Sequence, residues 1–175
     1  MRIISLVPIG LIDGDHLALL GEQLASRLAA ACLIQPPRQN GEFAYSRARG
    51  QYHSTEILKR LSQDPHAESW RILGVTDLDL YIPILTFVFG EAQMNGMCAL
   101  VSTFRLRQEF YGLPPDAELL QGRLVKEAVH ELGHTLGIAH CEDYNCVMAP
   151  SHAVEWIDLK KAALCEACRA TVATV

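Results

Sequence analysis

Between His130 and His140 the chain reads HELGHTLGIAH, and no other stretch limits its folding as much. His130 and His134 are four residues apart, so on a helix of 3.6 residues per turn they differ by roughly 40° and project from one face. That brings two imidazole nitrogens within reach of one ion at about 2.0–2.1 Å each. Glu131 lies one residue along, beside such an ion, where it can hold a water without becoming a ligand. Gly137 permits the left-handed turn that ends a helix. The chain can double back there and bring in His140 as a third ligand. Three neutral imidazoles leave a fourth position for water, the mark of a catalytic rather than a structural zinc. HExxH alone arises by chance in roughly 2% of chains of this composition, and requiring Gly137 and His140 lowers that by a further factor of about 400. An ordinary helix with surface histidines is a poor account of this stretch.

Cysteines follow at once. Cys141 and Cys146 form C-x4-C, Cys165 and Cys168 form C-x2-C, and 18 residues separate the pairs. Four thiolates at these intervals suit a closed tetrahedral zinc with Zn–S bonds of about 2.3 Å. Two disulfides or free thiols are the alternative, opposed by the CxxC spacing and by a reducing compartment. His140 and Cys141 are neighbours that serve different ions in this reading. Their α-carbons are about 3.8 Å apart, which sets the two metals on the order of 10 Å from each other. Met148, eight residues after His140, fits a turn passing a thioether under the imidazoles; taken alone it reads as core filling.

With 175 residues the chain can bury one substantial core. A single domain over 1–175 is expected, with the sheet and active-site helix in 1–137. Residues 138–175 then form a C-terminal segment carrying the third histidine, the methionine turn and the four-cysteine site. The formal net charge of −5 argues against nucleic acid or an anionic membrane as partner, and no run approaches the 18 apolar residues of a spanning helix. At the start, MRIISLVPIGLIDGD is interrupted by Pro8 and Gly10, and Asp13 and Asp15 follow. That favours an opening strand over a secretory signal, hence a cytoplasmic protein, with a monomer favoured. The residues before the motif read as the fold's own upper half, so no prosegment is expected.

Residues 2–8 read as a buried strand and DGDHLALLGEQLASRLAAAC as a helix with Leu17, Leu20, Leu24 and Leu28 at helical spacing. CLIQPP (32–37) reads as a second strand, RQNGEFAYSRARGQYHS as a long loop, and STEILKRLSQ as a helix capped by Ser54 or Thr55. Trp70–Val75, Thr86–Glu91 and Met97–Ser102 are strand-like. A long helix then begins after Pro115, with Asp116 as its cap and Leu120, Leu124, Ala128 and Leu132 on its apolar side. The order predicts a mixed sheet with helices packed on it. Cys32 and Cys98 read as buried packing residues, and His16, His53 and His66 as solvated. His152 stands close to the methionine turn, with a cleft-facing position the less favoured reading, and Asp77 and Asp79 read as structural.

HExxHxxGxxH followed by a methionine turn resembles the metzincin pattern of zinc peptidases. With Cys141, Cys146 and the CEAC at 165–168, the chain is similar to the archaemetzincin family of that clan. QYHSTEIL, LGVTDLDLY, FVFGEAQ and CALVS extend the likeness over most of the chain from about residue 50; the first 45 residues match in pattern only. The resemblance implies an α/β (α+β) metzincin-like domain: a mixed twisted β-sheet, a long active-site helix and a zinc-stapled C-terminal segment. It also implies two Zn2+ per chain, a catalytic ion at His130, His134 and His140 and a structural ion at Cys141, Cys146, Cys165 and Cys168. The implied activity is peptide-bond hydrolysis on a peptide or protein substrate, with Glu131 as general base and aminopeptidase action on short peptides as the favoured mode. The substrate is expected along an edge strand near residues 86–93. Pro150, not a tyrosine, stands two residues after Met148, so no tyrosine is assigned to the metal. Two other readings remain: a zinc-binding pseudopeptidase acting as a regulatory protein, and an interaction module built on the cysteine zinc. Only Lys160, Lys161 and Arg169 flank the second as a phosphate footprint.

Overall fold

Apolar residues run almost unbroken through IISLVPI, RILGVT and CALVS, the signature of strands covered on both faces. A computed structural model describes residues 1–38, 40–63 and 68–172. In chain order its first half holds strand Ile3–Ile9 (β1), helix Gly14–Leu28 (α1), strand Ala31–Ile34 (β2), short strands Tyr45–Ser46 (β3) and Gln51–His53 (β4), and helix Ser54–Ser62 (α2). The second half holds strands Arg71–Thr76 (β5), Leu80–Tyr81 (β6), Gly90–Ala92 (β7) and Cys98–Ser102 (β8), then helices Ala117–Thr135 (α3), Val154–Leu159 (α4) and Glu166–Val172 (α5).

One sheet has the order β2-β1-β5-β8-β7, parallel except for β7, which runs antiparallel to β8 at the edge. Strand periodicity explains how its two faces are filled. Leu6, Leu73 and Val101 point into a core shared with α1 and α3. Their chain neighbours Val7, Ile72 and Leu100 point the other way, against Ile57, Leu58 and Leu61 of α2. This is the mixed α/β arrangement expected, and it buries α3 along one whole side. Asp116 starts α3 as its cap, accepting from the Leu119 N–H at 2.9 Å. Gly137 ends it with φ of 83°. Among the described residues no helix is long and apolar enough to cross a membrane.

Several local expectations need correction. The presumed long loop over 38–54 contains a 3-10 turn at Gly41–Ala44 and both β3 and β4, which build a second, three-stranded sheet with β6. Segments of two and three residues are too short to show the alternation of a strand, so local pattern gives no sign of them. The expected strand Thr86–Glu91 joins the main sheet only at Gly90. Before that, Val88 makes a lone bridge to Leu80, so the segment passes from the small sheet to the large one. Ser54 and Thr55 do not cap α2. His53 holds the cap position, and both hydroxyls donate to the Glu91 carboxylate instead, Thr55 Oγ1 at 2.8 Å.

Leu124 is fully buried in the core between α3 and the sheet. Leu124→Ala should lower stability by about 2–5 kcal/mol through lost burial and the cavity left behind, read as a fall in the urea midpoint at unchanged slope.

Candidate metal centre

His130 and His134 leave α3 from successive turns, and each is fixed through Nδ1. His130 Nδ1 donates to the Val147 carbonyl at 2.8 Å, and His134 Nδ1 donates to the Ile138 carbonyl at 2.7 Å. A carbonyl only accepts, so these bonds place the protons on Nδ1 and leave Nε2 of each ring as a bare lone pair. The two Nε2 atoms nevertheless stand 3.1 Å apart. Protonating a ring to relieve this contact is opposed by burial, which pushes His130 down to about 2 and lowers His134 as well. Ligand nitrogens about 2.0–2.1 Å from one tetrahedral ion stand roughly 3.3 Å from each other, so the contact has the spacing of a shared cation. His140 comes around the Gly137 turn to complete the group, its ring centroid 5.3 and 5.0 Å from those of His130 and His134. The donor set is one that can hold zinc.

The surroundings are shaped to this group. Glu131 is buried, and desolvation, reinforced by Glu127 one turn earlier, pushes its carboxyl well above the usual carboxylate range. It lies directly against the edge strand: a Cβ on Gly90 would stand 2.9 Å from Glu131 Oε1 and 2.5 Å from the Leu100 carbonyl. Under the helix, a Cβ on Gly133 would stand 2.4 Å from the Met148 sulfur. Glycine at 133 therefore makes room for the thioether beneath the imidazoles.

Cys141, Cys146, Cys165 and Cys168 form a second group. Cys141 and Cys165 have their sulfurs 3.8 Å apart, against about 2.05 Å for a disulfide. Sulfurs about 2.3 Å from one tetrahedral ion stand roughly 3.8 Å apart. All four thiols are free, and Cys146 Sγ accepts backbone N–H bonds from Met148 and Cys165 at 3.5 and 3.3 Å. This group also fits zinc, and it ties the segment 165–168 to the methionine turn.

The three histidines open onto a cleft of about 410 Å³ walled by residues 85–92 and by Pro150, Ser151 and His152. His152 thus lines the cleft, contrary to expectation, with its ring 5.9 Å from that of Trp156. His16 is not free in solvent either: its Nδ1 bonds Gln121 Oε1 at 2.8 Å, across 105 residues of chain. His53 stacks on Tyr81 at 5.2 Å. His66 lies outside the described residues. Asp79 is held by Arg105 at 2.6 Å and Asp77 faces Arg107 at 3.9 Å, both structural pairings. Cys98 is buried and Cys32 half-buried, both away from the cysteine group.

Known proteins share this fold. The family model described as "Peptidase family M54" matches residues 26–174. The chain belongs to peptidase family M54. An archaemetzincin of Methanocaldococcus jannaschii is 43% identical over 165 residues, covering 94% of this chain and 89% of that protein. The crystal structure of an archaemetzincin from Archaeoglobus fulgidus, complexed with malonate, superposes with a TM-score of 0.85 at 35% identity, covering 97% of this chain and 99% of that one. A zinc-dependent peptidase from Methanocorpusculum labreanum superposes with a TM-score of 0.88 at 28% identity, with the same coverage. Membership of M54 makes the chain a zinc metallopeptidase, a hydrolase acting on peptides or proteins. The family likeness reaches back to residue 26, well before the motifs that carry it in the sequence.

Three residues at this M54 centre escaped the reading from sequence. Gly90 carried a usable signal, because an isolated glycine inside a strand-like run marks close backbone approach. Glu127 and Lys160 carried none. They look like solvated charges on amphipathic segments, yet both are buried against each other.

Gly133→Ala should force Met148 aside and cost about 1–3 kcal/mol, measured as a lower denaturation midpoint. Combining it with Met148→Ala should recover part of that loss, because the two positions share one space.

Proposed function

We propose that the chain hydrolyses peptide bonds at a zinc held by His130, His134 and His140, with Glu131 as general base. The observation that carries this reading is the 3.1 Å contact between two Nε2 atoms whose rings have already committed their protons to carbonyls. Zinc held there supplies Lewis acidity and a water acidified toward neutral pH. Glu131 accepts the proton of the attacking water on its carboxylate and returns it to the departing amine nitrogen. Desolvation of that carboxyl favours proton uptake, and contact with Gly90 keeps it on the β7 side of the cleft. Val147 and Ile138 hold two imidazoles in the tautomer that a metal needs.

The substrate lies extended along β7, which among the described residues pairs with β8 alone in the main sheet and borders the cleft. Its free edge offers main-chain hydrogen bonds to an added strand. The cleft borders this edge, and trimming of short peptides from the amino end is the mode proposed. Cys141, Cys146, Cys165 and Cys168 would hold a second zinc, giving two ions per chain. In this reading residues 1–175 are one catalytic domain whose segment 138–175 is stapled by the cysteine ion.

Glu131→Gln should keep both zincs and lose about 10²–10⁴-fold in turnover of a short peptide with a free amino end. An unchanged rate would end the proposal, and full activity on amino-blocked peptides alone would remove the trimming mode. Elemental analysis should find two zincs per chain, and one in His134→Ala. Cys165→Ser should weaken zinc at the histidines in chelator competition, because it frees the turn that carries His140 and Val147.

A further inference from the structure

Lys160 and Glu127 form an ion pair withdrawn from solvent: Nζ lies 2.8 Å from Oε1, and the side chains are only 1% and 4% exposed. Burying two charges costs desolvation that apolar residues of similar size avoid, so the pair calls for a reason beyond stability. Glu127 stands three residues before His130 and four before Glu131, on the same side of α3. It lines the same cleft as the three histidines. Glu-x-x-His is also the spacing by which a single helix offers a carboxylate and an imidazole to one metal in di-metal helical bundles. A Glu127 carboxylate free to turn is therefore a natural fourth protein ligand, and four protein ligands close a zinc site. Yet among the described residues the donor atoms that converge are those of the histidines alone, and Glu127 stays outside the group.

Lys160 is placed to cause this. It follows α4 directly, and its ammonium also donates to the Ala149 carbonyl at 3.2 Å. Ala149 is the residue after Met148, so the cation is anchored to the methionine turn, and the carboxylate it binds is anchored with it. We propose that Lys160 is a positioning residue that keeps Glu127 from becoming a fourth protein ligand, so that the histidine site stays open to water. The inference rests on the zinc-peptidase reading above.

The test uses the full chain with zinc left at the cysteines and Co(II) loaded at the histidines after mild chelation, with azide as the added ligand. In the natural sequence azide enters the open position and shifts the visible bands. In Lys160→Met the released carboxylate takes that position: the bands move before azide is added, and apparent azide affinity falls at least tenfold. Adding Glu127→Gln restores both properties, and Lys160→Arg keeps them throughout. A purely structural role for Lys160 predicts no such rescue. A Lys160→Met protein with the natural spectrum and azide affinity overturns the proposal, as does a double variant that stays closed to azide. Should Lys160→Met not fold, Lys160→Gln takes its place, because it keeps a polar end in the buried site while the charge is gone. Failure of the natural protein to bind Co(II) at the histidines overturns this inference and the proposed function together; binding with an unchanged Lys160 variant overturns the inference alone.

Discussion

A buried and a half-buried imidazole face each other through unprotonated nitrogens, and the geometry of the whole centre follows from making that contact tolerable. Each ring gives its proton to a backbone carbonyl, and burial opposes the gain of a second, most strongly at His130. A cation between them turns mutual repulsion into coordination. For this to happen the helix must be buried, the chain must reverse just past it, and a carbonyl from a later turn must reach His130. Gly137 provides the reversal with its left-handed backbone. Val147 provides the carbonyl, and the same turn carries the Met148 sulfur into the space left by Gly133.

That turn has little regular structure, so other contacts hold it in place. On one side, Cys141 and Cys146 bracket its start while Cys165 and Cys168 bring in the segment after α4. On the other, the Lys160 ammonium joins the Ala149 carbonyl to Glu127 on the helix. The opposite wall of the cleft is braced in a similar way. Strand β7 is short and lies at an edge, but Glu91 is tied to the first residues of α2, while Gly90 rests on Glu131. Successive residues of one strand thus lock it to α2 on one face of the sheet and to α3 on the other. The period-two alternation of strands makes this possible.

Legibility in the sequence tracks how local each feature is. The long helix could be read because Asp116, the spacing of Leu124, Ala128 and Leu132, and Gly137 are all near-neighbour signals. The central strands could be read because continuous β-branched and apolar runs are rare outside buried sheets. The small sheet could not, since Tyr45–Ser46 and Gln51–His53 are too short to show an alternation of their own, and the second is held from its other side by Leu80–Tyr81, far along the chain. For the same reason Ser54 and Thr55 looked like caps: their true acceptor, Glu91, lies more than 30 residues away. His16, read as solvated, bonds a glutamine on α3.

By itself the sequence determined which atoms are available to a metal. Helical spacing puts His130 and His134 on one face, a glycine allows the return of His140, and paired cysteines stand at intervals that one ion can span. These are consequences of fixed backbone geometry over short separations. Only the tertiary structure decided what those atoms experience: which ring nitrogen keeps its proton, that Glu131 is dry and pressed against Gly90, and that Glu127 is held by Lys160. Each of those depends on groups brought together from distant parts of the chain, where burial and electrostatics are set by packing rather than by order along the backbone.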